Sequence, residues 1–350
     1  MNKILIAILA VSLLAASCDL TKSVHVGIVK TANGGVDWQP ANKVTGTEQS
    51  LLERSISQLK YNPGKNKIFA ASFSGGLYTS EDAAENWTET LVGIPVFDFV
   101  FHPYDENIMY ASTYLSDRGR LLATKDGGKS WNEIYSDAST KNPVRAVAIN
   151  PNNPDDILIG LGKGAVIKSD DNGSSWHLLQ NYNDRINKIV WENNDLYVIV
   201  KSTGVFKSTD GGSSFTQITR GLRVPDKSSN NKYMFSFTGA VNDFRQLVID
   251  PNNSDHLLLT TNKGLYESTD NGASWGYIDL PFRQQDIAPF AVAFANTSES
   301  VIYVSIGSVI LKSTDNGSNW SSSDTKTNGL VSSILVSPNL PQIAFAGVSQ

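Results

Sequence analysis

Seven acidic or amide side chains hold the same position in a repeated octapeptide, Ser/Thr-x-Asp-x-Gly-x-x-Trp/Phe. Carboxylates at regular spacing are candidate calcium ligands or catalytic acids, but a Ser or Thr two residues earlier can instead hold each one inside a turn. The copies begin roughly 40–60 residues apart, so they are spread evenly and cannot converge on one site. We therefore predict structural turns at Asn33, Asp82, Asp126, Asp171, Asp210, Asp270 and Asp315.

The other fixed positions of the octapeptide indicate a tight β-hairpin. Gly at the fifth position supplies a positive φ, although Ala84 replaces it in the second copy. The final aromatic opens the next strand and is large enough to fill the core beside it. Six of the seven Trp residues hold this position, Phe215 replaces Trp in the fifth copy, and Trp191 is the exception.

Strand patterns around the octapeptides predict the fold. Two apolar strands joined by a polar turn precede most copies, a third leads into the octapeptide, and a fourth begins at its Trp. Four strands per unit at this spacing are typical of a β-propeller blade. The first octapeptide lacks the two preceding strands, and residues 334–348 supply such a pair with no octapeptide after it. We predict an all-β, seven-bladed β-propeller with a composite closing blade made from N-terminal and C-terminal strands.

Arginine is concentrated on one predicted rim of the ring, the rim with the second-to-third and blade-to-blade connections. All nine Arg residues fall on or beside these loops. Arg binds carboxylates and phosphates through paired hydrogen bonds and is common at interface hot spots. The alternative is that long loops simply collect Arg. The candidate binding rim comprises Arg54, Arg118, Arg120, Arg145, Arg185, Arg220, Arg223, Tyr233, Arg245 and Arg283.

Catalytic chemistry has little support in the sequence. We find no nucleophile motif, phosphate loop or metal cluster, so we predict no catalytic residue, no metal and no cofactor. A glycosidase would need two carboxylates facing each other across the central pocket, about 5 to 9.5 Å apart. Five acids are candidates for such a pair, although none lies in a paired motif: Glu53, Asp98, Asp184, Asp243 and Asp286.

The first residues are typical of an export signal. Lys3 precedes the apolar run 4–16, which is short for a membrane span and suits a signal peptide. Small residues before Cys18, the only cysteine, resemble the lipobox of bacterial lipoproteins; an ordinary secretory signal is the alternative. We predict a signal peptide over 1–17, a tether over 18–23 after a lipidated Cys18, and the propeller over 24–350. The chain would be exported and lipid-anchored in the bacterial cell envelope.

The net charge of the whole chain is −5, which argues against nucleic-acid binding, because nucleic-acid-binding proteins are usually strongly basic.

The octapeptides resemble Asp-boxes, also called BNR repeats, over essentially the whole chain after Cys18. Propellers with such repeats include sialidases, two-propeller xyloglucanases, sortilin-type receptor ectodomains and photosystem II assembly factors. Xyloglucanases of this kind place their catalytic acids in a cleft between two propellers. Sialidases usually have six blades and an Arg-Ile-Pro-type motif, to which 223–225 is the nearest match here. The seven blades and single ring are most similar to the photosystem II assembly factors.

That resemblance implies a non-enzymatic scaffold, anchored to the membrane through Cys18. Its partner would be another protein or complex with an acidic surface, bound by the Arg-rich rim. The alternative is a glycoside hydrolase, sialidase-like or otherwise glycan-acting, that uses acids at the central pocket. A structural module of the cell surface is a third possibility.

Overall fold

The computed structural model describes residues 26–46, 50–62, 64, 66–222, 241–282, 288–297 and 301–350. Within them, 28 strands form seven antiparallel sheets of four strands each. The only helix in this part of the chain is a single 3₁₀ turn, Leu51–Glu53. The sheets are the blades of a propeller, which confirms the predicted all-β, seven-bladed fold.

The strands follow the chain from blade to blade. Two N-terminal strands come first, β1 (Gly27–Thr31) and β2 (Gln39–Pro40). Blade 1 contains β3 (Ile56–Asn62), β4 (Lys67–Ser72), β5 (Leu77–Ser80) and β6 (Thr88–Leu91). Blade 2 contains β7 (Val96–Phe101), β8 (Met109–Leu115), β9 (Arg118–Thr124) and β10 (Asn132–Thr140). Blade 3 contains β11 (Val144–Ile149), β12 (Ile157–Leu161), β13 (Ala165–Ser169) and β14 (His177–Asn181).

The remaining blades repeat this order. Blade 4 contains β15 (Ile186–Glu192), β16 (Asp195–Val200), β17 (Gly204–Ser208) and β18 (Thr216–Gln217). Blade 5 contains β19 (Phe244–Asp250), β20 (Asn253–Thr261), β21 (Gly264–Ser268) and β22 (Gly276–Ile278). Blade 6 contains β23 (Val292–Phe294), β24 (Ile302–Ile306), β25 (Val309–Ser313) and β26 (Ser321–Asp324). The last two strands are β27 (Leu330–Val336) and β28 (Ala344–Ser349).

Blade 7 joins the two ends of the described chain, as predicted. Its strand order is β27, β28, β1, β2, so the C-terminal strands are innermost and the N-terminal strands outermost. Strand β1 pairs antiparallel with β28, from Gly27 opposite Val348 to Thr31 opposite Ala344. Because this pairing completes the seventh sheet, the ring closes without an unpaired edge between its first and last blades.

The core lies between neighbouring blades. Strands β12 and β24 are buried along their whole length, because the blades on either side each cover one face of the sheet. Leu158 and Val166 of blade 3, for example, pack against Ile189 and Val198 of blade 4. The outermost strands are mostly exposed and polar, as in β26. Apolar packing between sheets therefore holds the ring together.

Each octapeptide folds into the same hydrogen-bonded turn. In the fourth copy, the Ser169 hydroxyl donates to Oδ1 of Asp171 and accepts from the backbone N–H of Gly173, both at 2.8 Å. Oδ1 of Asp171 also accepts from the backbone N–H of Ser175, at 2.8 Å. These three bonds recur in all seven copies, including the first, where an amide oxygen replaces the carboxylate.

The turn stabilises the ionised form of its carboxylate. Hydrogen bonds from Ser175, first from its hydroxyl and then from its backbone N–H, lower the pKa of Asp171 to about 2. Equivalent bonds lower the pKa of Asp210 and of Asp270 to about 2. Each of these carboxylates is therefore engaged within its own turn.

In five of the seven copies, the Trp that ends the octapeptide donates a hydrogen bond to the preceding blade. The Trp176 indole N–H donates to the carbonyl oxygen of Ile134 in blade 2, at 3.0 Å. Trp275 bonds in the same way to Ile218, after the outer strand of blade 4, also at 3.0 Å. Trp87 is fully buried and donates to the carbonyl of Ala41, after β2, at 2.8 Å. Trp87 thus joins blade 1 to the composite blade.

Trp87→Ala should destabilise the ring by about 3–5 kcal/mol, because it removes a fully buried aromatic and leaves a cavity at the closing junction. Urea unfolding followed by circular dichroism would measure the loss. Trp191→Ala is the control, since Trp191 lies outside the octapeptides and is only partly buried. Equal losses in the two variants would contradict a special role for the octapeptide Trp.

Replacing Asp171 should reveal the turn's response to acid. Its folded pKa of about 2 lies below the unfolded value of about 3.9, so its stabilisation is complete above about pH 4 and disappears as the pH falls towards 2. Asp171→Asn should retain stability at pH 7 and weaken this acid dependence, because Asn33 already makes the same turn with an amide oxygen. Asp171→Ala should lower stability at pH 7. Thermal unfolding between pH 2 and 7 would separate the two variants, and identical curves would contradict the interpretation.

Candidate functional site

The innermost strands of all seven blades begin at the same rim, which brings their first residues together around the axis. The pocket that they form has a volume of about 190 Å³. In six blades, the second or third residue of the innermost strand lines the pocket. Most of these residues are polar or charged. The lining residues are Ser57, Gln58, Phe73, Phe97, Asp98, Arg145, Arg185, Asn187, Lys188, Asp243, Arg245, Gln246, Phe290, Ser332 and Ser333.

Asp98, on β7, is the buried charge at the centre of this site. Only 1% of its surface is exposed. Its carboxylate accepts from the ammonium groups of Lys188, at 2.7 Å, and Lys60, at 3.2 Å. Backbone N–H groups of Phe99 and Val147 donate to it at 2.8 and 3.2 Å. Both carboxylate oxygens are therefore engaged.

The two lysines keep Asp98 ionised. Burial alone would raise the pKa of Asp98, but the positive charges of Lys188 and Lys60 outweigh burial and hold the pKa below its usual range. Burial lowers the pKa of Lys60 to about 8, against the opposing attraction of Asp98. Because Asp98 is ionised and inaccessible, it cannot serve as a proton donor.

Asp243 is the accessible carboxylate of the pocket, with 28% of its side chain exposed. It accepts from Nε of Arg245 at 3.0 Å. The same guanidinium donates to the carbonyl oxygens of Ala288, at 3.3 Å, and Pro289, at 2.9 Å, and lies over the Phe290 ring at 5.2 Å. Arg245 is therefore fixed by protein contacts, and it orients Asp243.

Arg145 and Arg185 are less engaged. The Nε of Arg145 is buried without a hydrogen-bond partner, and its guanidinium lies over the Phe97 ring at 4.8 Å. Burial, and then the positive charge of Arg185, lower the pKa of Arg145 to about 10. Arg185 donates from Nε to the side chain of Asn187 at 2.9 Å. Neither forms an ion pair with an acid among the described residues.

The other predicted rim residues lie outside the pocket. Arg54 donates to the carbonyl of Ser74, and Arg118 to carbonyls at the end of β10. Arg120 forms an ion pair with Glu133, and Arg220 is exposed. Three of the predicted arginines, Arg145, Arg185 and Arg245, are thus brought together and four are not.

The five predicted acids separate in the same way. Asp98 and Asp243 line the pocket. Glu53 is exposed in the 3₁₀ turn, and Asp184 accepts from the backbone N–H groups of Arg185 and Ser202. The predicted residues Cys18, Arg223, Tyr233, Arg283 and Asp286 lie outside the described residues. No helix in the described part of the chain is long and apolar enough to cross a membrane.

Sequence reasoning missed several pocket residues. Lys188 and the aromatic residues Phe73, Phe97 and Phe290 line the pocket but were not predicted as site residues. Lys60, which bonds to Asp98 from outside that lining, was not predicted either. A usable signal existed, since polar or charged residues interrupt the apolar innermost strands near their starts, as at Asp98 in β7 and Lys188 in β15. Such interruptions predict a shared site only when the strands are known to surround one axis.

Comparison with known families gives a partial match. A family model described as "Sortilin, neurotensin receptor 3" matches residues 75–195, which is about a third of the chain. Two curated relatives are named xyloglucanases. The enzyme from Hypocrea jecorina (strain QM6a) is 24% identical over 238 residues, which cover 56% of this chain and 28% of that enzyme. The enzyme from a Paenibacillus species is 24% identical over 215 residues, which cover 50% of this chain and 20% of that enzyme. The chain therefore matches well under half the length of either relative.

Solved structures share the fold. The xyloglucanase from Xanthomonas campestris, of glycoside hydrolase family 74, superimposes with a TM-score of 0.67 at 15% identity, covering 94% of this chain and 52% of that one. YCF48 bound to a D1 peptide superimposes with a TM-score of 0.61 at 15% identity, covering 91% and 98%. At these identities the likeness concerns the fold alone.

The relatives correct the prediction of function. We predicted a non-enzymatic scaffold, with a glycoside hydrolase as the alternative. Both curated relatives are named xyloglucanases, so the non-enzymatic prediction is wrong and the glycoside-hydrolase alternative is better supported. The non-enzymatic prediction failed because the lack of a paired-carboxylate motif was taken to mean that no catalytic pair exists. Carboxylates from distant blades can nevertheless meet across a ring. The acidic protein partner and the lipid anchor at Cys18 stay predictions.

Asp98→Ala should cost about 3 kcal/mol or more in the free energy of unfolding, because it leaves Lys60 and Lys188 beside an empty partner site. Asp243→Ala should cost less, since its ion pair is partly exposed. Chemical denaturation would compare the two variants. Adding Lys60→Met to Asp98→Ala should recover part of the loss, and no recovery would contradict the charge explanation.

Proposed function

We propose that this propeller is a glycan-acting module of the glycoside-hydrolase type, with the central pocket as its sugar site. The observation that carries the proposal is the pocket itself. It brings two carboxylates, Asp98 and Asp243, together with the exposed aromatic ring of Phe73. Convergent polar groups beside aromatic rings are typical of sites that bind small organic ligands, and the xyloglucanase relatives favour a sugar.

The two carboxylates have different tasks in this proposal. Glycoside hydrolysis uses one carboxylic acid as proton donor and one carboxylate as nucleophile or base. Asp98 is buried and ionised, so its task is to fix the two lysines. Asp243 is accessible and held in place by Arg245, so we assign it the task of the reacting carboxylate.

The proton donor must then approach from outside the lining described above. Among the lining residues, Asp98 and Asp243 are the only carboxyl groups. Two-propeller xyloglucanases offer a precedent in which a second ring faces the first, and the curated relatives are several times longer than the segment matched here. We propose that a second copy of this chain, with a surface facing the rim of the pocket, supplies this acid.

Three finer assignments belong to the same proposal. We take the seven turns to be Asp-boxes, supported by the recurrence of one hydrogen-bond pattern in every copy. Residues 1–17 act as a signal peptide that exports the chain. Lipid attached to Cys18 anchors it in the cell envelope, where polysaccharides are accessible.

A polysaccharide screen would test the proposal. The purified chain would be incubated with xyloglucan and a panel of neutral and acidic polysaccharides, and new reducing ends and retardation in affinity gels would be measured. We expect binding and cleavage of at least one polysaccharide. Asp243→Asn should lower cleavage by about 100-fold or more, since a reacting carboxylate is lost, while retardation in the gel persists.

Glu53→Gln is the matched control, because Glu53 was also a predicted acid but does not line the pocket. Its cleavage rate should equal that of the unmodified chain. The proposal is overturned if no polysaccharide is bound or cleaved, or if Asp243→Asn cleaves at the original rate.

A further inference from the structure

Two of the cationic side chains that line the pocket form ion pairs with acids, and two do not. Lys188 is paired with Asp98, and Arg245 with Asp243. Arg145 and Arg185 have no acidic partner among the described residues. These two arginines therefore concentrate unneutralised positive charge at the pocket, on a chain whose net charge is −5.

Holding two such guanidinium groups together is unfavourable without a ligand. Arg145 is the second residue of β11 on blade 3, and Arg185 immediately precedes β15 on blade 4, so neighbouring blades bring both residues to the same pocket. The charge of Arg185 acts on Arg145 strongly enough to lower its pKa, in addition to the effect of burial. The Nε of Arg145 is moreover buried without a partner, and an unmade hydrogen bond of this kind is costly. A bound anion would offset the repulsion between the two positive charges.

Carboxylate is the anion that the geometry favours. A guanidinium is planar and presents parallel N–H donors that match the two oxygens of a carboxylate. The Arg145 guanidinium lies over the Phe97 ring, and the Nε of Arg185 donates to Asn187, so contacts within the protein restrict both groups. Because both groups are oriented by the protein, little conformational entropy is lost when a planar ligand binds.

An apolar surface lies beside the pair. The Phe73 ring is 38% exposed and contacts the Phe97 ring, with their centroids 5.7 Å apart. Arg145 lies over Phe97, and Phe73 is the most exposed aromatic residue of the pocket. At about 190 Å³, the pocket is smaller than the roughly 300–1,000 Å³ typical of sites for drug-sized molecules. It therefore suits one sugar residue rather than a chain.

We propose that Arg145 and Arg185 bind the carboxylate of an acidic sugar, a uronic acid residue of a glycan, while the sugar ring lies against Phe73. This inference rests on the proposed function, because it takes the ligand to be a glycan and names its chemical class. The neutral backbone of the substrate would lie over the rim, with the acidic residue inserted into the pocket.

Glucuronate and glucose form a matched pair of probes, since they differ only in the oxidation of one carbon. Binding to the full chain would be measured by calorimetry and by ligand-detected NMR. We expect glucuronate to bind and glucose to bind at least about tenfold more weakly, the difference made by one charge-assisted contact. Raising the salt concentration should weaken glucuronate binding and leave glucose unaffected.

Variants of the two arginines test whether glucuronate binds at this site. Arg185→Gln and Arg145→Gln should each weaken glucuronate binding by roughly 10- to 100-fold, since each removes a charged donor. Arg145→Lys should recover only part of the affinity, because an ammonium lacks the paired donors. Arg220→Gln is the control, because Arg220 belongs to the same predicted rim but is exposed and outside the pocket. Arg185→Gln keeps the test valid if Arg145→Gln fails to fold.

Other anions test the carboxylate and the sugar separately. Glucose 6-phosphate binding as tightly as glucuronate would overturn the preference for a carboxylate, and acetate binding equally well would overturn the contribution of the sugar ring. A short peptide whose C-terminal carboxylate binds more tightly than glucuronate would overturn the glycan as source. Glucuronate binding that survives in the double variant Arg145→Gln/Arg185→Gln would overturn the site itself.

Failure of this inference can be told apart from failure of the proposed function. If a neutral polysaccharide is cleaved equally well by the unmodified chain and by the double variant, the proposed function stands and the acidic-sugar inference fails. If glucuronate binds through the two arginines but no polysaccharide is cleaved, the inference stands and the hydrolase proposal fails.

Discussion

Closure of the ring is the constraint on which the rest of the structure depends. Each blade has two apolar faces, so a blade without a neighbour on either side would expose the strands that are buried throughout, such as β12 and β24. The pairing of β1 with β28 meets this constraint, because it builds the seventh sheet from strands at opposite ends of the described chain. The paired residues are more than 300 positions apart in the sequence, so bringing them together costs conformational entropy. The summed packing between blades must offset that cost.

Closure also creates the site. When seven innermost strands surround one axis, the first residues of these strands must face a narrow common space. This space is open at the rim, so apolar side chains cannot fill it entirely. Charged groups placed there are partly desolvated, so each needs compensation. Asp98 receives two lysines and two backbone N–H groups, and Asp243 receives Arg245. Arg145 and Arg185 form no ion pair within the described part of the chain, and the proposed ligand would offset this imbalance.

Much of the fold was predictable from the sequence, and much less of the site. The octapeptide has a local cause, since a hydroxyl, a carboxylate and a glycine at fixed spacing make the same turn wherever they occur, so seven copies predicted seven blades and the unpaired C-terminal strands predicted the composite blade. The pocket has no local cause. Arg145, Arg245 and Arg120 look equivalent in the sequence, but their environments differ. Among the described residues, the Nε of Arg145 has no hydrogen-bond partner, Arg245 is fixed by two carbonyls and an aspartate, and Arg120 forms an ion pair within its own blade. Those differences arise from residues distant in sequence, which composition and spacing do not reveal.

The error over function has the same physical origin. A short motif can reveal catalysis when the reacting groups lie on one turn, but a ring assembles its reacting groups from strands that are far apart along the chain. Asp98 and Asp243 reach the same pocket from blades 2 and 5, with two complete blades between them in sequence. The missing paired motif was therefore weak evidence against an enzyme. Because one ring can present very different side chains at the same positions around its axis, the identity and pairing of those side chains, rather than the ring, must decide what the molecule binds.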